Sequence, residues 1–138
     1  RVALAGVMAM EPKLLVLDEP AAGLDPRGRR EILGGIRDYQ RKSGTSVVIV
    51  SHSMEDMAMY CDRIIVMSHG KLILEGEPKD VFSQTELLQS AGLDVPEITK
   101  IVASLRKRGI NVPKTIYTVD GAVDAIVKQV SGGEDNVV

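Results

Sequence analysis

Asp18 and Glu19 stand side by side at the end of an aliphatic run, Leu14-Leu15-Val16-Leu17. In open α/β sheets ligands collect beyond the carboxyl ends of the strands, and consecutive residues there project to opposite sides. One carboxylate of such a pair can serve a metal while its neighbour activates water. That division of labour suits phosphoryl transfer, in which a metal bridges two phosphates and a positioned base orients the attacking water. Asp18 is then the residue for magnesium and Glu19 the residue for water. A strand that merely ends in two solvated acids would read the same way, so the pair alone leaves both readings open. A second aliphatic run, Val47-Val48-Ile49-Val50, ends in Ser51-His52; a lone histidine is more often a surface or core residue than a chemical one.

Positioning these side chains requires two buried parallel strands. The run at Leu14–Leu17, ended by Asp18-Glu19-Pro20, predicts a central strand covered on both faces, and Thr45 to Val50 predicts a second. Between them Asp25-Pro26 reads as a helix cap and first turn, Ile32, Leu33, Ile36 and Tyr39 as an apolar stripe, and Ser43-Gly44 as the stop. Upstream, Arg1 to Met10 predicts a helix stopped by Glu11-Pro12. Downstream, Ser53 caps a helix whose inward face is Met54, Met57, Ala58 and Cys61. A hairpin follows, Arg63–Met67 and Leu72–Leu74 around the turn Ser68-His69-Gly70-Lys71. The expected fold is α/β: a mostly parallel sheet with an antiparallel edge hairpin and a small helical appendage. Short helical pieces are predicted over Pro78–Gly92, with helices over Pro96–Arg108, bearing Ile98, Ile101, Val102 and Leu105 on one face, and Thr118–Val130. Residues 1–84 form the expected core, 85–130 the appendage and 131–138 a disordered tail.

The composition suits a soluble domain of modest size: 138 residues, 44% hydrophobic. With 17 basic and 19 acidic side chains, a net charge of −2 leaves no electrostatic footprint for nucleic acid. The single cysteine, Cys61, excludes an internal disulfide and fits a reducing compartment. The apolar stretch Val2–Met10 is about half the length a spanning helix needs.

The thirteen residues LLVLDEPAAGLDP, Leu14 to Pro26, resemble the Walker B motif and D-loop of ATP-binding-cassette ATPases. The resemblance implies that Ala22-Gly23-Leu24-Asp25 is the D-loop, crossing to an opposing subunit, so Gly23 and Asp25 join Asp18 among the nucleotide-binding residues. His52 resembles the family's switch histidine, which implies contact with the γ-phosphate and with Glu19. Asp62–Met67 and Gly70–Gly76 look like the strands that follow the switch. Further on, Ala91-Gly92-Leu93-Asp94-Val95-Pro96 and Thr118-Val119-Asp120 are similar to the tail of energy-coupling-factor and cobalt-type importer ATPases. That family implies ATP and Mg2+ as cofactors and a second ATPase subunit, identical or not, as partner. It also implies an integral membrane transport subunit, a place on the inner face of the cell membrane, and uptake of a vitamin or a metal ion. C-terminal helices that help hold two subunits together bring Leu105 and Ile126 into view as cover for a core or for a partner.

No Gly-x-x-x-x-Gly-Lys-Ser/Thr occurs in the sequence, and neither does the family's signature motif, which ordinarily lies just before the helix that starts at Arg1. Val130-Ser131-Gly132-Gly133-Glu134 resembles that signature only superficially and lies at the wrong end. The chain opens on Arg1 inside an apolar segment with no cap and so reads as truncated. Alone it is expected not to hydrolyse ATP, and to self-associate or exchange elements because strand edges and apolar faces are uncovered. Two rival functions stand beside transport: a non-transport cassette ATPase acting on DNA or ribosomes, and a non-enzymatic interaction fragment.

Overall fold

The computed structural model describes residues 2–131, with the side chains of 4–129; the expected tail beyond Ser131 and most of the superficial signature lie outside them. The chain divides into two compact units, Arg1–Ser53 and Met54–Val138.

The first unit contains α1 (Val2–Met8), β1 (Leu14–Asp18), α2 (Pro26–Ser43) and β2 (Ser46–Val50). Its helix α2 forms where the sequence supplies both ends. The Asp25 carboxylate accepts the Gly28 N–H at 2.9 Å, and Pro26, which has no N–H to leave unpaired, takes the first turn. Gly44 closes the helix in the left-handed region at φ 69°, its N–H bonded to the Gln40 carbonyl. Leu33 and Ile36 are the buried stripe. Thr45, the buried polar residue of this unit, is fully satisfied: its hydroxyl donates to the Pro12 carbonyl at 2.9 Å and accepts from the Ser43 hydroxyl at 2.8 Å. That link, with the Ser46 N–H on the Lys13 carbonyl, starts the two strands in step. They run parallel from Leu14↔Ser46 to Asp18↔Val50.

One expectation is corrected here. β1 is not covered on both faces: Leu15 is buried, whereas Leu14 is 56% and Val16 60% exposed, and Val48 and Val50 of β2 are exposed with them. Side chains alternate along a strand, and among the described residues only the Leu15 side has a covering layer.

The second unit contains α3 (Met54–Tyr60), β3 (Ile64–Ser68), β4 (Lys71–Gly76), α4 (Pro78–Phe82), α5 (Thr85–Ser90), α6 (Glu97–Lys107) and α7 (Val119–Ser131). β3 and β4 pair antiparallel in a two-stranded sheet of their own, Ser68 opposite Lys71, with a register shift between Val66 and Met67. His69 and Gly70 both have positive φ, 49° and 73°, as a two-residue turn of the I′ kind requires. The fold is thus α/β with a parallel pair and an antiparallel hairpin. Met57 and Ala58 are the buried residues of α3, and the Cys61 thiol lies 3.6 Å from the Met57 sulfur. Val102, Val112, Ile116 and Ala122 form a cluster against which Ile98, Leu105 and Ala125 pack. Ile101 is not part of that face but exposed, as is Ile126. Thr85, where the helical appendage is expected to begin, is the first residue of α5 and lies inside this unit.

Burial separates the two sides of β1 and its neighbours by consequence. Leu33→Ala, at a side chain 2% exposed, is expected to lower unfolding free energy by roughly 2–5 kcal/mol. Leu14→Ala on the open face is expected to change it by no more than about 0.5 kcal/mol. Urea unfolding of both variants checks this, and an equal loss at Leu14 would mean that the open face is covered in solution.

Candidate functional site

The parallel register carries two loops to the same end of the sheet. β1 delivers Asp18 and Glu19; β2 delivers Ser51 and His52. The Glu19 N–H donates to the Val50 carbonyl at 2.9 Å, extending the ladder one residue beyond β1. There the chain turns sharply. Glu19 has φ 46°, a left-handed conformation that costs a residue with a β-carbon about 1–2 kcal/mol. Its carbonyl accepts the Ala22 N–H at 3.0 Å and so closes the turn through Pro20.

The turn aims the Glu19 carboxylate at the segment after β2. Oε1 accepts the His52 backbone N–H at 3.0 Å and lies 2.5 Å from His52 Nδ1. Oε2 accepts the Ser51 hydroxyl at 3.1 Å. These donors lie 32 and 33 residues away in the chain. They hold the Glu19 carboxyl below the ordinary glutamate range, the His52 ring N–H most of all; partial desolvation opposes it, and the His52 amide and Ser51 hydroxyl add to it. An ionised carboxylate has no proton to give, so Nδ1 is the donor and Nε2 is left on the outer side of a ring that is 87% exposed.

The other residues singled out in the sequence fall as follows. Asp18 is exposed at the last position of β1. Ala22, Gly23 and Asp25 are exposed between β1 and α2. Gly23 has φ 71° with nothing within 4 Å of where a β-carbon would sit, so the backbone angle, not crowding, calls for glycine. The Asp25 carboxylate is committed to the α2 cap. His69 is exposed in the hairpin turn and has no part in the site. Ser51 is the site residue that sequence reasoning passed over. Its signal was its place, directly before His52 at the end of an aliphatic strand.

Among the described residues no three His, Cys, Asp or Glu side chains gather as a metal cage. Magnesium does not ask for one: it commonly takes one or two carboxylates and completes its shell with water and phosphate oxygens. An exposed Asp18 at a strand end fits that donor set. The arrangement as a whole offers an ionised, oriented carboxylate beside a carboxylate open to solvent.

A family model described as "AAA domain, putative AbiEii toxin, Type IV TA system" matches residues 1–57. The energy-coupling factor transporter ATP-binding protein EcfA2 of Clostridium tetani is 48% identical over 128 residues, 93% of this chain and 44% of that protein. EcfA2 of Caldanaerobacter subterraneus is 47% identical over 132 residues, 96% of this chain and 46% of that protein. The solved structure of cbiO1 from Clostridium perfringens, part of the ABC transporter complex cbiONQ, superposes with a TM-score of 0.57 at 42% identity, over 74% of this chain and 41% of that one. The chain has the sequence and fold of an ATP-binding-cassette ATPase. It spans about half the length of the curated cassette ATPases it matches. Among the described residues no helix is long and apolar enough to cross a membrane.

The site makes a pH prediction. Because the folded Glu19 value lies below the ordinary one, its contacts stabilise the fold fully above the ordinary glutamate range. That contribution is lost as pH falls through the lowered value. Carbon-detected NMR of the Glu19 carboxyl should show its midpoint rising towards the ordinary value in His52→Ala. A midpoint that stays put would detach the shift from the histidine.

Proposed function

We propose that this chain supplies the hydrolytic half of the nucleotide site of an importer ATPase of the energy-coupling-factor type. The observation that carries the proposal is the Glu19 carboxylate, ionised and held on both oxygens by Ser51 and His52 across two strand ends. The relatives named EcfA2 support the transport reading.

Glu19 is the general base that orients the attacking water; a base with a fixed direction contributes on the order of 10²–10⁴-fold. His52 holds Glu19 through Nδ1, leaving Nε2 as the ring atom that meets a γ-phosphate oxygen, a contact that requires a proton on both ring nitrogens, the imidazolium form. Asp18 would hold Mg2+, and the ion would supply charge neutralisation at the phosphates. The exposed D-loop, Ala22 to Asp25 with Gly23 at its bend, faces a second ATPase subunit, identical or not. An integral membrane subunit is the coupled partner, placing the assembly on the inner face of the cell membrane, and a vitamin or a metal ion is the solute. The sequence contains no phosphate-cradling Gly-x-x-x-x-Gly-Lys-Ser/Thr, so this chain alone does not turn over ATP.

The test joins this chain to the part of the Clostridium tetani relative that it does not cover, and measures Mg2+-dependent ATP hydrolysis. The joined protein should hydrolyse ATP, and Glu19→Gln should retain ATP binding while kcat falls at least about 10²-fold. This chain alone should be inactive. Turnover unchanged in Glu19→Gln removes Glu19 as the base.

A further inference from the structure

The three donors on Glu19 are not equivalent. Both His52 contacts, amide and ring, fall on Oε1. Two donors on one oxygen fix where that oxygen sits but leave the swing of the other to the torsions of the glutamate side chain. Only the Ser51 hydroxyl anchors Oε2, at 3.1 Å. Its aim is itself fixed: Ser51 Oγ accepts the Ser53 N–H at 3.2 Å, which occupies the acceptor side of the hydroxyl and turns its proton towards Glu19.

We propose that Ser51 is a positioning residue that sets the plane of the Glu19 carboxylate, leaving one acceptor direction on Oε2 for the reacting water. An ionised carboxylate has about four lone-pair sites. Two on Oε1 are taken by His52 and one on Oε2 by Ser51, so the one that remains has a defined direction. A base whose orientation is set before the reaction avoids reorganisation during it. The inference rests on the reading of Glu19 as the base. It adds that the hydroxyl before the histidine, rather than the histidine alone, decides which carboxylate oxygen works.

The joined protein tests it. Ser51→Ala should lower kcat about tenfold, the loss expected for one hydrogen bond to a charged group, with KM for ATP within about twofold because no nucleotide contact is removed. Ser51→Thr, which keeps the hydroxyl, should restore most of the turnover. In this chain by itself, Ser51→Ala should move the Glu19 carboxyl carbon resonance at neutral pH while the β1 and β2 amide resonances stay in place. Wild-type turnover in Ser51→Ala beside an inactive Glu19→Gln overturns the role of Ser51 and leaves Glu19 as the base. Equal losses in the Ala and Thr variants, a matching rise in KM, or an unmoved carboxyl resonance also overturn it. Full turnover in Glu19→Gln overturns the reading of Glu19 and this inference together.

Discussion

Everything in the candidate site depends on the register of β1 against β2. Pairing runs from Leu14↔Ser46 to Asp18↔Val50, and one more ladder bond, Glu19 N–H to the Val50 carbonyl, carries the pairing past the strand. A slip of one residue would turn every side chain of β1 to the other face and carry Glu19 away from Ser51 and His52. The register is pinned at the far end of the sheet by Thr45, whose hydroxyl ties the start of β2 to the Pro12 carbonyl ahead of β1. A buried threonine at one end and a carboxylate at the other are therefore parts of one device, with α2 and its two caps setting the span between them.

Much of this was legible in the residues. Asp25-Pro26 and Ser43-Gly44 mark the ends of α2 by chemistry that few other pairs provide, and His69-Gly70 marks the tight hairpin. The carboxylate and the histidine could be singled out because each ends an aliphatic run. Local spacing could not show that they touch, since 33 residues separate them and only the strand register brings them together. Ser51 was missed for a related reason: serine at a strand end is ordinary until its partner is known. Periodicity also overstated burial. Four consecutive aliphatics imply cover on both faces, yet Leu14 and Val16 face outward on a strand that, among the described residues, belongs to a two-stranded sheet.

The open face and the site belong to the same two strands, and they place different demands on them. Glu19, Ser51 and His52 need only the strand ends held in step, which the ladder and Leu15 provide within the first unit. The apolar side chains of Leu14, Val16, Val48 and Val50 contribute little while they face water, because burial is what makes an apolar group stabilising. The relatives extend over about twice the length matched here. The geometry of the carboxylate and the thermodynamic worth of the sheet that bears it are thus separable quantities.

The left-handed backbone at Glu19 bears on how such a protein could be engineered. Glycine or asparagine at that position would adopt φ near 46° more readily. A selection that scored only resistance to heat or proteolysis would then drift towards replacing the one side chain that both strand ends are arranged around. Stabilised libraries of this sequence should be filtered at residue 19 before they are ranked, because there the residue most comfortable in the backbone and the one proposed as the base are different amino acids.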